Sequence, residues 1–160
     1  MKTLDVGQKA PDFTLTVDGG ETMKLSALKG QNVVLYFYPK DDTSGCTAEA
    51  CAFRDMMPKF KKMNAVVIGV SRDSLQKHDK FKTKYELNFP LGSDEDGKVT
   101  EAYGVWVEKS MYGRKYMGIE RSTFLIDGNG KIARIWSKVK VPGHADEVLA
   151  AVKALDQKAA

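Results

Sequence analysis

The sequence predicts an α/β fold, a central mixed sheet flanked by helices and preceded by an N-terminal β-hairpin. Three observations predict it. Two apolar runs, Asn32 to Phe37 and Ala65 to Ser71, show no alternation, as expected of strands buried on both faces. Between them, Cys46 to about Lys61 carries apolar residues at spacings of three and four, the period of a helix, which makes a βαβ unit. Near the other end, two further strand-like segments flank Asp127-Gly128-Asn129-Gly130, a strong hairpin signal.

Taken in order, Phe13 to Val17 alternates apolar and polar, Asp18-Gly19-Gly20 turns the chain, and Glu21 to Leu25 completes a hairpin. The first central strand, Asn32 to Phe37, ends at Tyr38-Pro39 and leads into a polar loop, Lys40 to Gly45. The helix that follows places Cys46, Ala50, Phe53, Met57 and Phe60 on one stripe, and Pro58 is expected to kink it near its end. After the second central strand, Asp73 is placed to cap a helix running to about Tyr85, with Gln76 at the capping-box position. A short helix over Val99 to Tyr103 follows the turn at Asp94-Glu95-Asp96-Gly97. The hairpin strands Ser122 to Ile126 and Lys131 to Trp136 come next, and Ala145 to Leu155 closes the chain as a helix. A βαβ half joined to a ββα half is the thioredoxin-like arrangement, which carries its reactive cysteine at the start of the first helix.

Composition narrows the function. A chain of 160 residues can bury a core without disulfide staples, and one domain spanning residues 1–160 is expected, with no repeat, linker or low-complexity tract. Hydrophobic residues at 42% and charged residues at 29% are an ordinary globular balance. No apolar run approaches the roughly 18 residues of a membrane span, and the segment from Met1 to Lys9 lacks a signal-peptide core, so a cytoplasmic location is expected. The net charge of +4 raises nucleic acid as a partner, but the basic residues are mixed with acids. Lys77, Lys80, Lys82 and Lys84 surround Asp79 and Glu86 like a solvated helix face, so neither nucleic acid nor membrane is expected. Two cysteines in a reducing compartment are poor evidence for a structural disulfide and better evidence for redox chemistry or for no special role.

The chemistry concentrates in the segment from Phe37 to Cys51. If the helix begins near Cys46, the free N–H groups of its first turn and the macrodipole favour a thiolate, the nucleophilic form of the side chain. Thr43 stands where its hydroxyl can donate to the sulfur or to a bound oxygen. Pro39 stiffens the loop and can shield the thiolate, and Glu49, one turn after Cys46, can orient a basic partner.

The motif Pro39, Thr43, Cys46 resembles that of the peroxiredoxins: Pro, three residues, Thr or Ser, two residues, Cys. The run Gly45-Cys46-Thr47-Ala48-Glu49-Ala50-Cys51-Ala52-Phe53-Arg54-Asp55 is similar to the Q-type branch, also called bacterioferritin comigratory protein. The similarity continues through Ala10-Pro11-Asp12-Phe13, Gly69-Val70-Ser71, Phe89-Pro90-Leu91, Tyr103-Gly104-Val105-Trp106 and Arg121-Ser122-Thr123-Phe124-Leu125-Ile126-Asp127. The resemblance implies a thiol peroxidase without cofactor or metal, acting on hydrogen peroxide and organic hydroperoxides. Cys46 would be the peroxidatic residue, Cys51 the resolving residue, Thr43 and Arg121 the groups that bind peroxide and steady the thiolate. Thioredoxin, or else glutaredoxin, would be the reductant. The family segments tied to easy overoxidation, and the C-terminal extension with a second cysteine found in many dimeric relatives, are missing. Resistance to sulfinic acid formation and a monomer or weak homodimer are therefore expected.

Arg121 fits the physical argument too, since a guanidinium at the start of the strand Ser122 to Ile126 can face the first helix's N-terminus. Five helical residues separate two Cα atoms by about 8 to 9 Å, whereas a disulfide needs them within about 7 Å. A Cys46–Cys51 bond therefore requires the helix start to unwind. Other readings expect different patterns. A dithiol-disulfide oxidoreductase favours Cys-x-x-Cys, a zinc site needs about four N or S ligands, and a Cys-His protease pair needs an imidazole near the cysteine loop. A peroxide sensor or holdase acting through a partner would use the same unwinding.

Overall fold

The computed structural model describes residues 4–159; Met1, Lys2 and Thr3, the beginning of the segment read for a signal-peptide core, lie outside the described residues. The chain opens with β1 (Thr14–Val17) and β2 (Thr22–Lys24), paired antiparallel around the turn Asp18–Gly20, as the alternation predicts. Next come β3 (Asn32–Phe37), α1 (Ser44–Lys62) and β4 (Ala65–Ser71), with β3 and β4 parallel. Then α2 (Leu75–Tyr85) leads to β5 (Leu91–Ser93), and α3 (Lys98–Ala102) to the ribbon β6 (Trp106–Met111) and β7 (Arg114–Ile119). The chain ends with β8 (Ser122–Ile126), β9 (Ile132–Trp136) and α4 (His144–Ala159).

Seven strands form one mixed sheet in the order β2-β1-β5-β4-β3-β8-β9, with β3 at its centre between β4 and the antiparallel β8. This is the expected α/β arrangement. Alternate side chains of β3 explain why its run is apolar throughout. Val34 and Tyr36 enter one core with Phe53 and Phe60 of α1, Phe81 of α2 and Val148 of α4. Val33, Leu35 and Phe37 enter the other, with Phe13, Tyr103 and Phe124. No helix of the described residues is long and apolar enough to cross a membrane.

Several local expectations need correction. The helix that carries Cys46 starts at Ser44, two residues earlier than expected, and ends at Lys62, close to the expected Lys61, with Pro58 inside it. The cap of α2 is Ser74, whose hydroxyl accepts from Lys77 N, while Asp73 instead accepts from Asp41 N at 2.8 Å and from the Ser71 hydroxyl at 2.7 Å. Three strands had no clear signal. β5 is three residues long, and β6 and β7 form a separate ribbon on which Met111, Tyr116, Met117 and Tyr112 of the turn are exposed, while Ile119 at its end is buried. Outside a buried sheet, a strand needs no apolar face for its sequence to advertise.

Candidate active site

Helix α1 follows β3 through the loop that begins at Tyr38, so its N-terminus lies at the C-terminal end of the central strand. Thr43 is the cap residue, with extended backbone angles, and its carbonyl accepts the first helical bond from Thr47 N at 2.8 Å. Cys46 therefore sits in the first turn, among amides that have no helical acceptor. Its side chain is 1% exposed, and both cysteines are free thiols, with Cys51 half-buried on the same unbroken helix.

Arg121, just ahead of β8, reaches across to this helix. Its Nη2 donates to Cys46 Sγ at 3.3 Å, and its Nη1 donates to Glu49 Oε1 at 2.6 Å. The positions follow from two periods. β8 pairs with β3, so its start lies beside the end of β3, and Glu49 lies one turn beyond Cys46 and so faces the same way. A hydrogen bond from a guanidinium is stronger to an anion than to a neutral thiol, so this contact favours the thiolate. Desolvation is the largest single effect on the Arg121 pKa and lowers it, but Glu49 and Cys46 together outweigh it, so the net shift is upward.

Glu49 is the anomaly of the site. Burial pushes its carboxyl up to about 7, against the pull of Arg121. The reason is visible in its contacts: Oε1 is held by the guanidinium, but Oε2 is buried with no hydrogen-bond partner among the described residues. An ionised Glu49 thus leaves half of its charge without compensation.

The other expected residues are placed less directly. The Thr43 hydroxyl donates to Lys40 O at 2.9 Å rather than to the sulfur. Pro39 stands exposed at the start of the loop. Gly45 lies beneath the guanidinium, where an added Cβ would meet Arg121 Nη2 at 3.2 Å.

One participant in the loop escaped sequence reasoning. His78 of α2 is distant from the cysteines in sequence, yet its Nδ1 lies 2.6 Å from Asp41 Oδ2 and its Nε2 donates to Gly92 O at 3.0 Å. Tyr38 completes the cluster by donating to Asp41 Oδ1 at 2.5 Å. Both imidazole nitrogens are occupied, so His78 anchors the loop and does not serve as a base for Cys46. Its pKa is raised overall, because the Asp41 bond and charge outweigh desolvation, the largest single effect and one that lowers it. The other histidine, His144, is bound to Thr123 Oγ1 at 2.8 Å. The spacing of polar residues around position 78 carries no sign of either contact.

A buried sulfur at a helix start, held by a guanidinium, suits attack on an electrophile that expels an oxyanion. In a sheet of this order, that defines the class of thioredoxin-fold thiol peroxidases. The AhpC/TSA family model matches residues 6–135. The chain belongs to this family and is a peroxiredoxin of the Bcp, or Q, type. It is 54% identical over 156 residues to peroxiredoxin Bcp of Bacillus subtilis, covering 98% of this chain and 99% of that protein. A cysteine-to-serine variant of Xylella fastidiosa PrxQ superposes with a TM-score of 0.91 at 43% identity, over 96% of this chain and 98% of that one. Xanthomonas campestris bacterioferritin comigratory protein, described for alkyl peroxide reduction, superposes with a TM-score of 0.89 at 46% identity, over 95% and 99%.

Proposed function

We propose that this peroxiredoxin reduces hydrogen peroxide and organic hydroperoxides through Cys46, with Cys51 as its resolving residue and thioredoxin as its reductant. The observation that carries the assignment is the guanidinium of Arg121, donating at once to Cys46 Sγ at 3.3 Å and to Glu49 at 2.6 Å. In the first step the Cys46 thiolate attacks one peroxide oxygen. The S–O bond forms as the O–O bond breaks, and the departing alkoxide or hydroxide takes a proton to leave as alcohol or water. Arg121 stabilises the charge that develops on that oxygen. The Thr43 hydroxyl, donating to Lys40 O, retains lone pairs that accept the hydroperoxide proton. Pro39 stiffens the loop, and Gly45 leaves room for the guanidinium.

In the second step Cys51 attacks the Cys46 sulfenic sulfur and releases water. Both residues lie within one continuous helix, so their Cα atoms are about 8 to 9 Å apart by helical geometry, beyond the roughly 7 Å that a disulfide spans. The first turns of α1 unwind before the bond closes. A dithiol then attacks the disulfide and regenerates both thiols. The reading places these events in a cytoplasmic protein of one domain, acting as a monomer or weak homodimer.

The test is a thioredoxin-coupled peroxide assay, with glutaredoxin alongside, on wild type, Cys46→Ser and Cys51→Ser. Cys46→Ser is expected to consume no peroxide. Cys51→Ser is expected to undergo the first oxidation normally but to lose thioredoxin-driven turnover. Full steady-state turnover by Cys51→Ser would remove the resolving role.

A further inference from the structure

The segment that must unwind is held at both ends by one residue of the neighbouring helix. Upstream of Cys46, the Asp42 carboxylate accepts from the Tyr85 hydroxyl at 2.7 Å and from Lys84 Nζ at 2.8 Å. Asp42 itself has a φ of 59°, a left-handed backbone that a side chain contact helps to hold. Downstream of Cys51, Arg54 Nη1 donates at 2.7 Å to the carbonyl of the same Tyr85. That carbonyl belongs to the last turn of α2, where the closing bonds run from Glu86 N and Leu87 N to Thr83 O and Lys82 O, so Arg54 supplies its partner. Asn88 returns a bond from its side chain to Arg54 O at 3.2 Å. Tyr85 is fixed in turn by Phe81, whose ring meets its own edge to face at 5.5 Å.

Tyr85 thus bridges the two sides of residues 43–53, the stretch that carries both cysteines. We propose that Tyr85 is a positioning residue for the second chemical step: its hydroxyl and carbonyl bracket α1 and set how readily the Cys46 turn unwinds to meet Cys51. The proposal rests on the resolving role of Cys51. It concerns only the unwinding, because Tyr85 makes no contact with the sulfur, the guanidinium or Glu49 in the bonds described above.

The bracket separates the two steps. Attack on peroxide uses the folded helix start, which Tyr85 supports but does not build. Disulfide formation draws on the unwound form, whose population rises when a bond unique to the folded form is removed. Tyr85→Phe deletes the hydroxyl alone, keeping the ring against Phe81 and the main-chain bond from Arg54.

Reduced protein mixed rapidly with hydrogen peroxide gives the readout by tryptophan emission. Trp136 lies 5.7 Å from the His144 ring, which packs edge-on against Phe53 of α1 at 6.1 Å, and so reports on the helix. A peroxide-dependent phase records the first oxidation, and a peroxide-independent phase records the disulfide. In Tyr85→Phe the second phase is expected to run about fivefold faster with the first unchanged, the ratio that one net hydrogen bond of ordinary strength provides. In an Asp42→Ala background the same substitution is expected to add nothing, since its partner is already gone. That coupling is what a general loss of stability would not produce. An unchanged second phase, or equal acceleration in both backgrounds, would overturn the bracket. A second phase that persists in Cys51→Ser would instead remove the resolving reading on which the bracket depends.

Discussion

Glu49→Gln probes the buried carboxylate at the centre of the site by removing a titration while keeping the side chain's size. Glu49 is 1% exposed, and burial lifts its pKa from the 4.5 of a free glutamate to about 7. Across that interval the native protein keeps a proton that the unfolded chain has released. Stability attached to Glu49 is therefore complete below pH 4.5 and is lost as pH rises through 7. A gap of this size corresponds to at most about 3 kcal/mol. Arg121 stays charged throughout, so the slope belongs to the carboxyl. Urea unfolding of wild type and variant, at steps between pH 4.5 and 8, gives two stability curves whose difference cancels the other titrating groups. That difference is expected to fall by about 3 kcal/mol on going up in pH and then level off, with m constant. A flat difference, or one that rises with pH, would refute the claim that Glu49 is held protonated by burial.

Two further outcomes follow from the same geometry. Gly45→Ala puts a Cβ 3.2 Å from Arg121 Nη2, so the guanidinium that donates to Cys46 Sγ must give by a few tenths of an ångström. The peroxide-dependent step is expected to slow by about fivefold to tenfold, while the melting temperature holds or rises, because alanine favours a helix over glycine by about 1 kcal/mol. Rapid-mixing kinetics and thermal unfolding check the two halves, and an unslowed reaction would contradict the contact. His144 is pulled down to about 4, chiefly by burial, so its neutral form adds stability that is lost as pH falls from 6.5 towards 4. Relative to His144→Gln, wild type is expected to lose up to about 3 kcal/mol over that range, measured by urea unfolding. The loss opposes the Glu49 trend, so each effect is visible only in its own difference curve.

Much of the fold was legible because buried strands and amphipathic helices write their periods into the sequence. β3, β4 and β8 have the predicted bounds, and α2 ends at the predicted Tyr85. The ribbon of β6 and β7 was not legible, since its faces are largely solvated and mix Glu108, Lys109, Arg114 and Lys115 with Met and Tyr. The α2 cap was misassigned because Asp73 and Ser74 are both good capping types, and tertiary contacts to Asp41 and Ser71 claim the aspartate. At the site, Arg121 and Glu49 were legible, one from the family motif and one from its helical offset to Cys46. The part played by Asp41, His78 and Tyr85 was not. Their contacts join α2 to the cysteine loop across more than thirty residues of sequence, and no local period encodes such a pairing.

In the proposed cycle one helix serves both steps, and the unequal construction of α1 suits it to them. Its later turns are tied down by Phe53, Met57 and Phe60, all buried in the core it shares with β3 and α4. Its first turn has little of this support. Among the described residues no side chain caps it, no acidic residue lies in that turn, and Gly45 holds a position where glycine is among the weakest helix formers. A serine or aspartate cap would have strengthened that turn by about 1 kcal/mol, but by taking up N–H groups of the turn in which Cys46 sits. Leaving them free serves the thiolate, and it also keeps the turn weak enough to open. The deficit is met from outside the helix, by Arg121 on the sulfur and by the bonds to α2 on either side. Oxidation of Cys46 in that cycle would remove the thiolate that Arg121 favours, and part of what holds the turn in place with it. In the proposed cycle the chemistry of the first step would thereby lower the cost of the unwinding that the second step requires.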